Sequence, residues 1–211
     1  MLIDPLGRAG CNATMLTAIA VTIAAYLLGS LASAILVARV MGLPDPRGEG
    51  SGNPGATNVL RYGGRIAGAA TLVGDGAKGT VPVLAALLLG VPDAGLAAVG
   101  LAALLGHVFP VFFGFQGGKG VATGLGVLLG WSWLAFLAAA ATWLAVAAIF
   151  RMSSLAALVA LFLAPFYIYG FEATPWISAA AVAVTAAVVW RHTSNIRRIV
   201  AGTEPRIGNS G

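Results

Sequence analysis

Apolar residues run along most of the chain in stretches near the length of a membrane-spanning helix, with short polar segments between them. A helix that crosses a bilayer needs roughly 20 mostly apolar residues. The predicted segments are 15–41, 66–89, 94–113, 121–129, 133–149, 154–169 and 174–190. The fourth is short and rich in glycine, so it is either a stubby helix or a partly inserted one. The pattern predicts an all-α integral membrane protein with seven transmembrane helices in one bundle.

The composition supports this class and leaves no room for a separate soluble domain. Charged residues make up 9% of the chain and hydrophobic residues 59%, whereas roughly a quarter of a soluble domain is charged. Residues 1–14 resemble neither a signal peptide nor a helix. We therefore expect an N-terminal extension over 1–14 and a single membrane domain over 15–211, with translation starting at Met1 or at Met15.

Basic residues occupy alternate connections between the predicted helices. If the chain starts outside the cell, the connections at 42–65, 114–120, 151–153 and 191–211 face the cytoplasm. The basic residues of these connections are Arg47, Arg61, Arg65, Lys119, Arg151, Arg191, Arg197, Arg198 and Arg206. The opposite connections contain the acidic residues Asp93 and Glu172 and no basic residue. This bias predicts an external N-terminus and a cytoplasmic C-terminus. The basic residues form no stripe interleaved with aromatic residues, so a nucleic-acid partner is not expected.

The first polar segment, GSGNPGATN at 50–58, interrupts the apolar pattern with glycines, a proline and short polar side chains. Asn and Ser side chains often bond their own backbone in turns, so an ordinary turn-rich loop is one interpretation. The flanking arginines favour another, in which the planar guanidinium of Arg61 binds a phosphate. The polar residues that would contact the same anion are Ser51, Asn53, Thr57 and Asn58.

A second polar segment, FQGGKGVAT at 115–123, combines glycines with one lysine. Gly117, Gly118 and Gly120 around Lys119 let successive backbone N–H groups turn toward one anion. The helix predicted from Val121 adds the favourable dipole of its N-terminus. The alternative is a flexible hinge with a snorkelling lysine. A nucleotide P-loop is excluded, because glycine rather than Ser or Thr follows the lysine.

The third polar segment, HTSNIRR at 192–198, places His192 and Asn195 on one helix face if the last helix continues past Trp190. A role in orienting a substrate or transferring a proton is one interpretation, and an ordinary interfacial histidine is the other. All three polar segments lie on the predicted cytoplasmic side. The functional site is therefore predicted there.

Three ionisable residues fall inside the predicted helices. Asp75 and Lys78 are spaced i, i+3, and each charge would cost about 2.5–3.5 kcal/mol near the membrane centre. We expect them to pair, with phosphate binding by Lys78 as the second interpretation. His107 is predicted to be a buried structural residue. Two histidines without a carboxylate cluster nearby indicate no catalytic metal.

These motifs resemble those of the bacterial membrane glycerol-3-phosphate acyltransferases that use acyl-phosphate as donor. The resemblance is carried by LGS at 28–30, DPRGEGSGNPGATNVLR at 45–61, GDGAKG at 74–79, GHVFPVFFGFQGGKGVAT at 106–123 and HTSNIRRIVAGTE at 192–204. It implies a seven-helix enzyme of the bacterial inner membrane whose active site lies at the cytoplasmic face. It also implies transfer of a fatty acyl group to the 1-hydroxyl of glycerol 3-phosphate, forming lysophosphatidic acid in the first acylation step of phospholipid biosynthesis.

The resemblance implies roles for individual residues and no cofactor. It makes Glu204 a structural residue and assigns glycerol 3-phosphate to the glycine-rich second segment. Relatives often have a proline after Gly-Ser near the end of the first helix, where this chain has Ala32 and Ser33, so we expect a less kinked first helix. The residues for which it implies a part in catalysis are Ser51, Arg61, Lys119, His192 and Asn195.

The chemistry of an acyl-phosphate narrows these roles. Because this donor is already activated, a covalent acyl-enzyme is unnecessary, and we interpret Ser51 as a phosphate ligand rather than as a nucleophile. The general base is either His192 or the phosphate of a substrate. A transporter is the alternative from another class, but the polar motifs crowd one face and no internal repeat is visible. We expect the protein to act as a monomer in the phospholipid bilayer.

Overall fold

The computed structural model describes residues 5–172 and 174–208, and these ranges contain helices and no strand. This confirms the predicted all-α class. The helices are α1 (Pro5–Gly29), α2 (Ser33–Val40), α3 (Ala56–Leu88), α4 (Asp93–Val108), α5 (Val121–Trp131), α6 (Trp133–Phe150), α7 (Ser153–Phe171), α8 (Pro175–Arg191) and α9 (Thr193–Val200), with a 3₁₀ turn at Val111–Phe113. Six of the seven predicted segments overlap one α-helix each, although 94–113 runs past the end of α4 into the 3₁₀ turn.

The first predicted segment is wrong in two respects. Residues 5–14, predicted to be non-helical, form the start of α1. The segment 15–41 is not one helix, because the chain breaks between α1 and α2. The carbonyl of Leu31 at this break accepts a hydrogen bond from Lys78 Nζ at 2.9 Å, so a side chain from α3 takes the place of a helical N–H group. The segment thus breaks without a proline at this point, and a first helix less kinked than in relatives stays a prediction.

Helix α3 contains a sharp change of direction that the sequence pattern did not reveal. It begins at Ala56 rather than at residue 66, and Gly64 inside it has φ 82° and ψ −178°. Only glycine adopts this conformation at little cost. The short piece before Gly64 carries Arg61, so the bend sets the direction of that arginine relative to the long apolar part of the helix.

Glycines bring α3 and α5 into direct backbone contact. A Cβ atom at Gly79 would overlap the carbonyl oxygen of Thr123, and one at Gly126 would overlap that of Gly76. Small residues commonly permit this close approach between helices in membranes. The helices also pack in the pairs α1 with α4, α6 with α7, and α7 with α8. Helix α5 contacts α4, α6, α7 and α8 as well as α3, so it lies in the centre of the bundle, and its first residues line the same cavity as the polar segments.

Within the described residues, five helical segments are long and apolar enough to cross a membrane: Asn12–Gly29, Ala56–Leu88, Asp93–Phe113, Trp133–Phe150 and Ser153–Phe171. The apolar helices α5 and α8 are shorter. At 1.5 Å per residue, the 11 residues of α5 reach only about 16 Å, roughly half the thickness of the hydrocarbon core. Helix α5 is therefore too short to cross the core, which fits both alternatives, a stubby helix and a partly inserted one. A count of seven complete passes stays a prediction.

Candidate active site

One cavity of about 650 Å³ brings the three polar segments together. The residues of its walls lie between Gly50 and Pro205 in the sequence, and long apolar helices separate the polar segments among them. The predicted site residues that line it are Ser51, Asn53, Thr57, Asn58, Arg61, Asp75, His107, Lys119, Gly120, His192, Asn195 and Glu204. The predicted residues that do not line it are Gly117, Gly118 and Lys78.

Asn58 holds the first polar loop in shape. Its side-chain Nδ2 donates to the carbonyl oxygens of Pro46 at 3.0 Å and Glu49 at 2.9 Å, and its Oδ1 accepts from the backbone N–H of Ser51 at 2.9 Å. The residue is buried. Because both ends of the amide are already engaged, we assign Asn58 to positioning the loop and remove it from the predicted phosphate ligands.

The side chains of Ser51 and Arg61 are available to bind a ligand in the cavity. Among the residues that the structure describes, neither the hydroxyl of Ser51 nor the guanidinium of Arg61 has a hydrogen-bond or ion-pair partner. Both side chains line the cavity and are exposed. An arginine whose five N–H donors are free at a cavity wall suits bidentate binding of a phosphate.

Lys119 begins a chain of hydrogen bonds that crosses the cavity wall. Its Nζ donates to Asn195 Oδ1 at 2.6 Å, and Asn195 Nδ2 donates to Glu204 Oε1 at 2.7 Å. Glu204 also accepts from Ser154 Oγ at 2.6 Å and forms an ion pair with Arg198 at 2.7 Å. Three donors therefore hold the carboxylate, which agrees with the structural role inferred for Glu204. One donor of the Lys119 ammonium is fixed, and two stay available to a ligand.

Burial and neighbouring charge change the acidity of Lys119. Burial lowers the pKa of this lysine to about 8, and the positive charges of Arg198, Arg191 and Arg61 act in the same direction. A group in this environment gains an anionic partner readily, because a phosphate would relieve both the loss of hydration and the repulsion between cations. The cluster of positive charge thus favours a doubly charged anion beside Lys119.

His192 lies at the joint between α8 and α9 and is buried. Its Nδ1 is 2.8 Å from the carbonyl oxygen of Val188. A carbonyl can only accept, so Nδ1 carries the proton and Nε2 of the neutral ring is an acceptor. Burial lowers the pKa of His192 to about 4, which keeps the ring neutral near pH 7. The last helix does not continue past Arg191 as one element, yet His192 and Asn195 line the same cavity.

Residues 117–120, which we call the glycine segment, pack closely against the end of α4. A Cβ atom at Gly117 would overlap the backbone carbonyl of His107, and one at Gly118 would overlap the His107 ring. Gly120 has φ 85° and immediately precedes α5 without a capping side chain. Glycine is required at these three positions. The segment leads directly into the N-terminus of α5, which has no capping side chain.

The predicted ion pair between Asp75 and Lys78 is present inside the bundle. Lys78 Nζ lies 3.0 Å from Asp75 Oδ1, and both side chains are almost fully buried. His107 Nδ1 is 3.4 Å from the same carboxylate oxygen. Because Lys78 also holds the break at Leu31 and does not line the cavity, the structure does not support its predicted share in phosphate binding. The described residues contain no group of three His, Cys, Asp or Glu that could hold a metal ion.

Sequence reasoning missed several residues of the site. Arg198 lines the cavity and follows Asn195 by three positions, so the helical face shared with that residue was a usable signal. Ser154 gave no such signal, because its role depends on how the C-terminal segment folds back onto α7. The apolar part of the wall was also missed; it includes Leu72, Leu125, Ala140, Trp143, Leu144 and Ala157.

Comparison with known proteins agrees with this geometry. Residues 19–202 match the family model described as glycerol-3-phosphate acyltransferase. A glycerol-3-phosphate acyltransferase of Halorhodospira halophila is 59% identical over 186 residues, covering 88% of this chain and 94% of that protein. Crystal structures of PlsY, an integral membrane glycerol 3-phosphate acyltransferase, are similar in two forms.

The glycerol 3-phosphate form has a TM-score of 0.87 and 39% identity, and the lysophosphatidic acid form has a TM-score of 0.85 and 38% identity. Each comparison covers 91% of this chain and 96% of the other. The matched residues include all three polar segments that line the cavity. The chain therefore belongs to the glycerol-3-phosphate acyltransferase family.

Proposed function

We propose that this protein transfers a fatty acyl group from acyl-phosphate to the 1-hydroxyl of glycerol 3-phosphate, forming lysophosphatidic acid and phosphate. The observation that carries the proposal is that one cavity is lined both by the cationic side chains of Arg61, Lys119 and Arg198 and by apolar side chains, which we take as its cationic end and its apolar wall. The cationic end suits the phosphates of both substrates, and the apolar wall suits the hydrocarbon chain that is transferred. The names of the family and of the PlsY crystal forms support the acceptor and the product.

Two helices begin at the cavity without a capping side chain. They are α3, which starts at Ala56, and α5, which starts at Val121. The free N–H groups and the dipole of a helix start attract anions. We assign the phosphate of glycerol 3-phosphate to the α5 start beside Lys119, and that of acyl-phosphate to the α3 start beside Ser51 and Arg61. This arrangement holds the two anions apart while their reacting atoms meet, which is a large part of acyl transfer.

The chemical step needs no covalent acyl-enzyme. The 1-hydroxyl oxygen of glycerol 3-phosphate attacks the acyl carbon, and the bond from that carbon to the phosphate oxygen breaks. The leaving phosphate takes the electron pair, and the hydroxyl proton passes to a phosphate oxygen. His192, with a pKa of about 4, is a weaker base than a phosphate monoester, whose second pKa is about 6. Its Nε2 instead accepts a hydrogen bond that orients the hydroxyl group.

The acyl chain would lie along the apolar wall formed by Leu125, Trp143 and Leu144. Such a wall keeps the hydrocarbon chain out of water, as the bilayer interior does. The position of this wall next to the short helix α5 gives a lipid-soluble donor a route from the bilayer to the polar end. We further propose that the chain makes seven passes through the bacterial inner membrane, with the C-terminus and this cavity at the cytoplasmic face.

The proposal is tested with purified protein, glycerol 3-phosphate and either acyl-phosphate or acyl-CoA as donor. We expect lysophosphatidic acid from acyl-phosphate and none from acyl-CoA. A parallel reaction with glycerol in place of glycerol 3-phosphate serves as the control for phosphate recognition, and we expect little product from it. Product from acyl-CoA alone would overturn the donor, and equal acylation of glycerol would overturn the role of the cationic end.

A further inference from the structure

Arg191 lies behind the glycine segment and holds two consecutive carbonyl groups. Its Nε donates to the carbonyl oxygen of Gly118 at 3.2 Å, and a terminal nitrogen donates to that of Gly117 at 2.9 Å. Arg191 is the last residue of α8 and does not line the cavity. Its guanidinium therefore contacts the face of the segment that is turned away from the substrates.

These two hydrogen bonds fix the direction of the N–H groups that follow. In a trans peptide the C=O and N–H bonds of one unit point in opposite directions. Anchoring the carbonyls of Gly117 and Gly118 to Arg191 therefore turns the N–H groups of Gly118 and Lys119 away from the guanidinium. In the part of the chain that the structure describes, neither N–H donates to a protein acceptor.

Two further contacts keep the guanidinium in place. It lies 5.6 Å from the ring centroid of Trp190, and that ring packs against Phe109 at 5.9 Å. On the opposite side, Gly117 and Gly118 are pressed against His107. The glycine segment is thus held between α4 and the end of α8, although it has no regular secondary structure of its own.

We propose that Arg191 is a positioning residue for glycerol 3-phosphate, which aims the backbone N–H group of Lys119, a residue that lines the cavity, at the substrate phosphate. A cation on the carbonyl side also polarises the peptide units and makes their N–H groups stronger donors. The inference rests on the proposed function, since it takes the glycine segment as the binding site of glycerol 3-phosphate. Neither the polar motifs in the sequence nor the cavity lining marks this arginine.

The test compares Arg191→Gln and Arg191→Lys with wild type. We expect Arg191→Gln to raise the KM for glycerol 3-phosphate by about tenfold or more, the usual effect of losing a hydrogen bond to a charged group. The KM for acyl-phosphate should change by no more than about twofold, as for substitutions away from the affected site. Arg191→Lys should recover part of the loss, because a lysine keeps the charge but lacks the two-pronged geometry.

Arg197→Gln is the matched control, because Arg197 is exposed on α9 and contacts neither the glycine segment nor the cavity. Thermal unfolding in detergent is measured for every variant.

An unchanged KM for glycerol 3-phosphate in Arg191→Gln, or equal increases for both substrates with a lower unfolding temperature, would overturn the inference. If Arg191→Gln does not fold, an Arg191→Lys variant with wild-type KM values would overturn it instead. Wild type that does not acylate glycerol 3-phosphate would instead contradict the proposed function itself.

Discussion

Lys119 and Asn195 are joined by a hydrogen bond of 2.6 Å although 76 positions separate them in the chain. The bond connects the glycine segment to α9, and Glu204 holds Asn195 from the other side at 2.7 Å. The ammonium group is thereby fixed at the cavity wall before a substrate arrives. Such preorganisation favours a transition state, because the protein does not have to rearrange during the reaction.

We predict that Asn195→Asp lowers kcat/KM for glycerol 3-phosphate by about tenfold or more. The aspartate keeps the size of the side chain but cannot donate to Glu204, and its negative charge repels that carboxylate. It also offsets the charge of Lys119 that the substrate phosphate requires. Steady-state kinetics check this prediction, with Arg197→Gln as the control for expression and folding. Wild-type kinetics in Asn195→Asp would show that neither the bond from Asn195 to Glu204 nor the net charge beside Lys119 matters for activity.

The pH dependence of activity should report Lys119. Burial lowers the pKa of this residue to about 8, so its charge is present below that pH and is lost as the pH rises through it. The phosphate of glycerol 3-phosphate is already doubly charged there, since its second pKa is about 6. We therefore expect kcat/KM for glycerol 3-phosphate to decrease above pH 8 with the titration of one group.

Lys119→Arg provides the control for this pH profile. Its guanidinium stays charged, so its residual activity should not decrease in the same range. Donor hydrolysis without protein is subtracted at each pH. A wild-type profile that stays flat well above pH 8, or an identical decrease in Lys119→Arg, would contradict the assignment.

Ser51→Ala should reduce activity by about tenfold if the hydroxyl binds a phosphate. The hydroxyl is free and at the cavity wall, whereas the backbone N–H of Ser51 is held by Asn58, so the loop should keep its shape without the side chain. Intact-mass measurement of wild type during turnover should reveal no acyl adduct. An acyl group trapped on Ser51 would show that the serine is a nucleophile.

The pair of Asp75 and Lys78 should matter for stability. Lys78→Met would leave the buried carboxylate of Asp75 without its cation and free the Leu31 carbonyl. Removing one partner of a buried ion pair typically costs about 3–5 kcal/mol. We expect a large decrease in unfolding temperature in detergent and a partial recovery in the double variant Asp75→Asn/Lys78→Met. Equal stability of Lys78→Met and wild type would show that the pair contributes nothing.

The sequence predicted most of the fold because apolar segments near the length of a bilayer leave few alternatives to helices. It failed at the break before Ser33, where a lysine 47 positions away binds the Leu31 carbonyl. It also failed at Gly64, since a glycine inside an apolar pattern gives no sign of its φ angle. Both features depend on tertiary contacts or on local geometry that hydrophobicity does not report.

The sequence predicted those parts of the candidate site that consist of continuous polar segments. The three polar segments stood out against an apolar background, and the structure brings them to one cavity. Asn58 was misassigned because its bonding to Pro46 and Glu49 depends on the folded loop. Arg191 was counted only as a topological charge, since its contact with the glycine segment joins residues 73 and 74 positions apart.

Membrane topology can be checked by labelling single cysteines in intact cells. Cys11 is the one cysteine of the chain and would first be replaced by serine. Because basic residues fill alternate connections, we expect Glu172→Cys to react with an impermeant reagent directly and Arg206→Cys only after permeabilisation. The reverse pattern would contradict the predicted orientation, and reaction of both in intact cells would contradict the odd number of passes.

The kinetics of Lys119→Ala with glycerol 3-phosphate test the central claim most directly, namely that the glycine segment and its lysine bind the substrate phosphate. The loss of a hydrogen-bonding charge should lower kcat/KM for glycerol 3-phosphate by about ten- to a hundredfold. The protein should still insert and keep its unfolding temperature, because the side chain lies at a polar cavity wall. Wild-type kinetics in Lys119→Ala would contradict the claim and make the segment a hinge between α4 and α5.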